Sequence, residues 1–425
     1  MEFAREKEVE WLFKNRNQPG MEPSVKVIAG LRRVGKTYLL GTLFNHYLIS
    51  KKGFNPKNIL SIDLSKIPDD SIRTSQELKQ SIIDRIAQNS MISFVFVDEV
   101  QLAGDGFADV MKTLAVSYPH IDFYVTGSTS ELTSTEILEK FGSECSHLLI
   151  RPLSYREVSK TMAISAFDFE QFGGIPKVLL CPDDDAKKVC LTSLLEDVFI
   201  NDVFDKVKGL GFDENQIRQM LGYLLNNVSN FTKPETIAEG LTVGSTWGRL
   251  TPQEREKRVA NVSVAIEEIK KTYLLEAIKQ KGLEGKALLR GSHKHYAVDL
   301  GLLNAATSFH PNPTKQLENA VYLDLISRGY RVLVEHYEEP VVSSKGETLQ
   351  AEKEIDFIAD KGKQHLSIQV SLKFSSDKRF HQETDKLVDY ARSSKCYFIT
   401  QDPSNLAAHG VTFLTLEELL TKDEL

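Results

Sequence analysis

One short segment restricts the fold of this 425-residue chain more than any other feature: Gly30-Leu-Arg-Arg-Val-Gly35-Lys36-Thr37. It follows the apolar run Val25–Ala29, which is typical of a buried strand, and it precedes a helical pattern. Glycines at this spacing let the backbone curl so that several N–H groups point inward, and the next helix adds its positive N-terminal end. The segment therefore predicts a loop that binds phosphate groups between a strand and a helix.

The last residues of this loop indicate a nucleoside triphosphate and a metal ion. The Lys36 ammonium can reach the β- and γ-phosphates, and the Thr37 hydroxyl can ligate Mg²⁺. We therefore expect ATP and Mg²⁺ as cofactors, with Lys36 also acting in catalysis. The residues of the segment predicted to bind the nucleotide are Gly30, Arg33, Gly35, Lys36, Thr37 and Tyr38.

A second apolar run ends in two carboxylates. Phe94–Val97 leads directly into Asp98 and Glu99. Carboxylates at the end of a buried strand are costly unless they face a polar site. Asp98 suits the outer coordination shell of Mg²⁺, and Glu99 suits a base that polarises the attacking water.

A third apolar run, Phe123–Thr126, ends in Gly127-Ser128. In an open α/β sheet the ligand binds at the carboxyl ends of the strands, where the Thr126 or the Ser128 hydroxyl would lie. Either one could hydrogen-bond the γ-phosphate or the attacking water. Strands and helical segments alternate over residues 24–150, which predicts an α/β domain with a parallel sheet covered on both faces.

Taken together, five motifs resemble one family. They are Gly-x-Arg-Arg-x-Gly-Lys-Thr, Val-Asp-Glu-Val-Gln, Thr-Gly-Ser, Arg-Pro-Leu-Ser-Tyr-Arg-Glu and Gly-Gly-Ile-Pro. The chain resembles the AAA-type P-loop ATPases of bacteria and archaea that carry the C-terminal domain of unknown function DUF4143. The resemblance implies that Asp98 and Glu99 are the Walker B pair and that Ser128 lies near the sensor position.

The sequence departs from the family pattern at one place. Members commonly have Gly-Arg before the Pro-Leu-Ser motif, whereas this chain has Gly142-Ser143-Glu144. The arginine expected to stabilise transition-state charge is absent there. Arg151, Arg156 or a residue from another subunit could replace it, and the sequence does not distinguish between them.

The resemblance also implies how the chain is divided. We predict an AAA-type ATPase domain, a helical lid or linker, a winged-helix-like domain, and a DUF4143 domain with an α/β restriction-endonuclease-like, PD-(D/E)XK-like core. The predicted bounds are 1–155, 156–210, 211–312 and 313–425.

The middle of the chain predicts three helices over residues 215–226, 233–241 and 261–280, with a β-wing over 282–299. Residues 244–258 break the helical pattern and predict an exposed insertion. Winged-helix modules either read DNA or serve as connectors and protein docks, and both alternatives stay open. His293 and His295 have metal-like spacing but lack nearby partners, so we expect no metal site there. The local basic residues are Lys270, Lys271, Lys279, Lys281, Lys286, Arg290 and Lys294.

The last segment resembles the restriction-endonuclease-like core, and the resemblance implies a catalytic set that is incomplete here. Glu318, Asp356 and Gln369 match metal-binding positions. The position where an active core has its lysine is Ser371, and Lys373 lies about 7 Å further along the strand, at about 3.3 Å per residue. We therefore expect a degenerate scaffold rather than an active nuclease.

Composition limits the partners and the compartment. The chain has 52 Lys and Arg against 59 Asp and Glu, a net charge of −7, so it is not a bulk nucleic-acid coat. No run approaches the about 20 apolar residues of a spanning helix, and the charged N-terminus has no secretory signal, so we expect a cytoplasmic protein without membrane partners.

The predicted function is a Mg²⁺-dependent ATPase that couples its nucleotide state to DNA or protein, with oligomers possible. The alternatives are a nucleotide-gated binding module with negligible turnover and an ATP-regulated nuclease.

Overall fold

The computed structural model describes residues 3–18, 20, 22–66, 72–128, 132, 138, 140–141, 145–242, 244–281, 293–342, 348–373, 377–391, 393–404 and 406–425. The chain forms two compact units. The N-terminal unit comprises residues 1–152 with 271–273, and the C-terminal unit comprises residues 153–270 with 274–425.

A five-stranded sheet in which all neighbours are parallel forms the centre of the N-terminal unit. Its strands are β1 (Val25–Ala29), β2 (Ile59–Asp63), β3 (Phe94–Asp98), β4 (Asp122–Gly127) and β5 (Ser146–Leu149), in the order β2-β3-β4-β1-β5. Every residue of β1, β3 and β4 is buried, as expected for a sheet covered on both faces. The carboxyl ends of these three central strands therefore meet at one edge.

Helices cover this sheet. They are α1 (Glu6–Lys14), α2 (Lys36–Tyr38), α3 (Ser75–Gln88) and α4 (Phe107–Ser117). Beyond α2 the chain continues in π-helical turns over Leu39–Phe44 and Tyr47–Lys51. Thr74 and Glu77 form a reciprocal capping box that fixes the start of α3. Sheet order, loop position and flanking helices confirm the predicted P-loop AAA-type fold of this unit.

The three apolar runs predicted as strands agree with β1, β3 and β4, but β5 was not predicted. All four residues of β5 are partly or fully exposed, and they pair with β1 along one edge only. An edge strand of this kind lacks the continuous apolar run that identifies a buried strand.

The first half of the C-terminal unit is mostly helical. Its helices are α5 (Tyr155–Ser159), α6 (Ala166–Phe172), α7 (Pro176–Leu179), α8 (Asp184–Val198), α9 (Asp205–Val207), α10 (Glu214–Asn226), α11 (Pro234–Gly240) and α12 (Pro252–Lys270). The predictions for residues 244–280 were wrong in part. Residues 252–258 belong to α12 rather than to an insertion, and the chain beyond residue 274 is a strand rather than more helix.

A small antiparallel sheet packs with these helices. It consists of β6 (Phe231–Thr232), β7 (Leu275–Ile278) and β8 (His293–Ala297), in the order β6-β8-β7. Residues 282–292, on which most of the predicted wing falls, lie outside the described residues.

The last part of the unit is mixed α/β with a further sheet. After α13 (Leu300–Ala306) and α14 (Pro313–Ser327) come β9 (Arg331–Val342), β10 (Thr348–Lys361), β11 (Gln364–Val370), α15 (Asp377–Tyr390), β12 (Lys395–Ile399), β13 (Val411–Leu414) and α16 (Leu416–Thr421). The order is β13-β12-β11-β10-β9. The pairs β9–β10 and β10–β11 are antiparallel, whereas β11–β12 and β12–β13 are parallel.

The four predicted domains stay predictions, since residues 153–270 and 274–425 form one compact unit. Among the described residues, no helix is both long and apolar enough to cross a membrane.

Candidate functional site

The loop after β1 has the backbone that a phosphate-binding loop needs. Gly30 and Gly35 have φ angles of +149° and +98°, in the region that favours glycine, and Arg33 has φ +65°. Helix α2 begins at Lys36, so its first N–H groups face the loop. Arg33 and Tyr38 are both exposed at the loop surface, and their predicted nucleotide contacts stay predictions.

Gly30 has a second, steric reason to be glycine. A Cβ atom at this position would lie 2.2 Å from the backbone oxygen of Ile150. The two segments approach closely because the Ile150 N–H donates a hydrogen bond to the Ala29 carbonyl. Any side chain at residue 30 would push the loop away from the chain that follows β5.

The Lys36 side chain is buried beneath this loop. Its Nζ donates hydrogen bonds to the carbonyl oxygens of Gly30 at 2.9 Å and Leu31 at 3.0 Å. An ammonium removed from water needs such acceptors, and phosphate oxygens are stronger ones. The cation therefore already lies inside the loop, where the terminal phosphates of a nucleotide are expected.

Arg5 supports the same loop, a role that no sequence motif predicts. This buried residue precedes α1, and its Nη2 donates to the carbonyl oxygens of Val34 at 3.1 Å and Arg151 at 2.7 Å. Its contacts join residues 29 and 146 positions away, and no local motif signals them.

Asp98 links the predicted metal position to two hydroxyls. Thr37 Oγ1 donates to Asp98 Oδ2 at 2.7 Å, and Thr126 Oγ1 donates to Asp98 Oδ1. Burial raises the pKa of the Asp98 carboxyl above its ordinary value. A cation beside Thr37 and Asp98 would offset this burial cost, so the arrangement fits Mg²⁺ held by these two residues.

Glu99 and Ser128 are in direct contact. Ser128 Oγ donates to Glu99 Oε2 at 3.1 Å, and Gln101 Nε2 donates to the same oxygen at 2.5 Å. Lys36, Thr37, Asp98, Glu99 and Ser128 thus lie along the edge where β1, β3 and β4 end. Their individual roles stay predictions. The sequence indicates Gln101 only as the last residue of the Val-Asp-Glu-Val-Gln motif.

The carboxylates of helix α14 and strand β10 form a separate cluster around an unexpected cation. Lys294 Nζ lies 3.1 Å from Glu318 Oε1 and 3.9 Å from Asp356 Oδ1, and it also pairs with Glu354 Oε1. Tyr296 donates its hydroxyl to Glu318 at 2.6 Å. Burial raises the pKa of both the Glu318 and the Asp356 carboxyls. Burial opposes the charge on Lys294, but the surrounding carboxylates outweigh it and raise the pKa of that ammonium.

The remaining nuclease-like positions have other partners. Asp356 Oδ2 accepts the Val370 N–H at 2.8 Å, and Gln369 Nε2 donates to Glu383 at 2.9 Å. Ser371 Oγ donates to the Lys373 carbonyl at 3.3 Å. No group of three or more His, Cys, Asp or Glu in the described part of the chain could hold a metal ion.

The middle segment presents less positive charge at its surface than its local basic residues indicate. Lys294 is buried, Lys270 pairs with Glu267, and Lys281 pairs with Glu335. Lys286 and Arg290 lie outside the described residues, as does the segment 142–144 where the family arginine is missing.

The last four residues of the motif Arg-Pro-Leu-Ser-Tyr-Arg-Glu, Ser154 to Glu157, have structural roles. Ser154 and Glu157 form the capping box of α5. Arg156 pairs with Asp324 at 3.1 Å and donates to the Leu419 carbonyl, so its guanidinium holds α5, α14 and α16 together. Arg156 is therefore used in packing.

The Gly-Gly-Ile-Pro motif, residues 173–176, is held by a buried carboxylate. The Gly174 N–H donates a hydrogen bond to Asp299 at 2.7 Å.

Two family models match this chain. Residues 22–159 match a family described as an AAA domain, and residues 167–312 match a domain of unknown function, DUF8612. The N-terminal match supports an AAA-type P-loop ATPase domain. The model that matches the next segment is not DUF4143, so that part of the resemblance stays a prediction.

Two curated proteins that are similar to this chain are described as uncharacterized. A protein of Haemophilus influenzae is 26% identical over 386 residues, which cover 88% of each chain. One of Methanocaldococcus jannaschii is 26% identical over 327 residues, covering 72% of this chain and 67% of its own.

Two solved structures align weakly. A DNA polymerase III gamma subunit-related protein of Thermotoga maritima has a TM-score of 0.27 at 11% identity, covering 62% of this chain and 99% of its own. AMPPCP-bound DnaA of Aquifex aeolicus has a TM-score of 0.28 at 9% identity, covering 64% and 89%. Scores this low carry no argument about this chain.

Proposed function

We propose that the N-terminal unit binds ATP with Mg²⁺ and hydrolyses it, and that the nucleotide state controls binding of a protein partner. The observation that carries the proposal is Asp98, which accepts hydrogen bonds from Thr37 of the loop and Thr126 of β4. This contact joins the phosphate-binding loop to the strand ends that hold Glu99. A loop that bound phosphate only incidentally would not need a buried carboxylate there.

In the proposed site, Lys36 binds the terminal phosphates while Thr37 and Asp98 hold Mg²⁺. The metal ion neutralises charge on the phosphates when it is bound. Glu99 accepts a proton from the attacking water. Binding requires that Lys36 exchange its carbonyl acceptors, Gly30 and Leu31, for phosphate oxygens.

Lys36→Ala tests the binding step. Without the ammonium, the ATP dissociation constant should rise about 10- to 150-fold, since a hydrogen bond to a charged group is worth about 1.5–3 kcal/mol. The control is Lys57→Ala, which removes an exposed lysine of the same unit and should leave binding unchanged. Wild-type affinity in Lys36→Ala would contradict the proposal.

Glu99→Gln tests turnover separately. Glutamine keeps the shape but cannot take the proton from water, so hydrolysis should fall by about 10²–10⁴-fold while ATP stays bound. Negligible turnover in the wild type, with tight ATP binding, would favour the nucleotide-gated binding module instead.

A protein partner is favoured over DNA by the charges on α12. The middle segment has the element order α10, β6, α11, α12, β7, β8, which supports a winged-helix-like module in which α12 is the third helix. This helix has four acidic and four basic residues, and its arginines 255 and 258 donate to backbone carbonyls. A helix without excess positive charge is poorly suited to a DNA groove.

The partner can be sought with Glu99→Gln loaded with Mg-ATP, which should hold the ATP state. Proteins from a lysate that bind this form but not Lys36→Ala, which should hold no ATP under the same conditions, are the expected result. Salt-sensitive binding of duplex DNA to the same form would replace the protein partner with DNA.

The nuclease alternative is disfavoured by Lys294. This ammonium lies among Glu318, Glu354 and Asp356, where a catalytic metal ion would have to bind. The DUF4143 and PD-(D/E)XK-like assignment is retained as a proposal for the scaffold alone. It is supported by the order α14, β9, β10, β11, α15, β12 with an antiparallel start and a parallel end.

A further inference from the structure

We propose that Gln101 is a positioning residue that fixes the Glu99 carboxylate for its reaction with water. This inference rests on the proposed ATPase function. The backbone of Glu99 has φ +54°, in the left-handed region that residues with a side chain rarely adopt. The Glu99 N–H donates to Thr126 Oγ1 at 3.2 Å, which holds this turn against β4. Strand β3 ends at Asp98, and the turn means that Glu99 no longer follows the direction of the strand.

The turn also brings Gln101 back toward Glu99. A short 3₁₀ segment, Val100–Ala103, follows immediately, and Gln101 Nε2 donates to Glu99 Oε2. Ser128 Oγ, from the end of β4, donates to the same oxygen. Both donors bind Oε2, so Oε1 is the oxygen left to accept a hydrogen bond from water. A glutamate side chain has several rotatable bonds, and two fixed donors remove that freedom before the nucleotide binds.

Gly127 provides the space in which Gln101 lies. A Cβ atom at Gly127 would be 2.5 Å from Gln101 Oε1 and 1.8 Å from Leu132 Cδ1. The Thr-Gly-Ser motif and the Asp-Glu-Val-Gln motif are therefore parts of one arrangement. The glycine leaves room for the amide, and the serine on its other side adds the second donor.

The hydrogen-bonding capacity of the Gln101 side-chain amide is only partly used. Gln101 Oε1 is buried and accepts no hydrogen bond from the described residues. A buried acceptor without a donor lowers stability, and such groups in native proteins call for an explanation beyond packing. The donation from Nε2 to Glu99 supplies one.

Gln101→Leu removes the donor with little change in volume. We expect kcat for ATP hydrolysis to fall about 10- to 100-fold, because a misplaced base loses most of its effect, while KM and the ATP dissociation constant stay within about twofold. The thermal unfolding midpoint should not fall, since the unpaired acceptor is removed as well. Leu102→Ala is the matched control, because Leu102 is an exposed neighbour on the same turn.

The decisive measurement combines Gln101→Leu with Glu99→Gln. If Gln101 acts through Glu99, the second change costs no further activity. Gln101→Met is made in parallel, so that the test stands if the branched leucine prevents folding. Wild-type kcat in a folded Gln101 variant, an equal loss in the Glu99→Gln background, or a loss confined to KM would each overturn the inference. Absence of turnover in the wild type would instead overturn the proposed ATPase, and this inference with it.

Discussion

Lys294 Nζ lies 3.1 Å from Glu318 Oε1, and both side chains are buried. Lys294 comes from β8 of the small sheet, and Glu318 comes from α14, which packs on the C-terminal sheet. An ion pair of this kind is costly to form but far more costly to break, because the remaining charge stays buried. It therefore ties two parts of the C-terminal unit together.

Replacing Lys294 with Met should destabilise the C-terminal unit by about 3–5 kcal/mol, because Glu318, Glu354 and Asp356 lose their shared cation. Urea denaturation measures the change. Lys281→Met is the control, since that lysine pairs with Glu335 near the surface and should cost less than about 1 kcal/mol. Equal effects of the two substitutions would contradict the account of the buried cluster.

The C-terminal sheet should not cleave DNA. Plasmid nicking with Mg²⁺ or Mn²⁺ should stay at background in the wild type, and Asp356→Ala should leave it there. Ser371→Lys restores a cation at the usual lysine position but should also be inactive, because Lys294 still fills the metal position. Metal-dependent nicking by the wild type that disappears in Asp356→Ala would establish the nuclease instead.

Gly30→Ala should impair the phosphate-binding loop without any change of charge. The added Cβ meets the Ile150 oxygen at 2.2 Å, and the backbone has positive φ, so we expect a loss of more than about 1 kcal/mol in stability together with weaker ATP binding. Gly41→Ala is a matched control on the following helix, where a Cβ meets nothing within 4 Å. It should stabilise the unit by up to about 1 kcal/mol.

Asp299 should make stability depend on pH. Burial raises the pKa of this carboxyl from 3.8 to about 6, so the folded state binds the proton more tightly than the unfolded state. The free energy of unfolding that this residue contributes is then highest below about pH 4 and falls as pH rises to about 6. Asp299→Asn keeps an acceptor for the Gly174 N–H but does not titrate.

The comparison is made by urea denaturation at pH 5 and pH 7. Between pH 5 and pH 7 the free energy of unfolding of the wild type should fall by about 1 kcal/mol relative to that of Asp299→Asn. Above pH 7 this difference should change little. A wild-type advantage that grows with pH would mean that the pKa of Asp299 is lowered instead.

The sequence by itself determined the features that depend only on residues close together in the chain. A strand, a glycine-containing loop and a helix follow one another within residues 25–51, so composition and spacing identified them, and with them Lys36 and Thr37. Asp98 and Glu99 were found because carboxylates after an apolar strand stand out locally.

Only the tertiary structure decided which distant groups meet. Lys294 was predicted on a β-wing among other basic residues, but it lies buried against Glu318, and Arg5 was not predicted at all although it holds the phosphate-binding loop. A lone lysine or arginine has the same local pattern whether water or a buried carboxylate surrounds it. The free energy of burying the charge depends on partners far along the chain, and those come together only when the strands and helices pack.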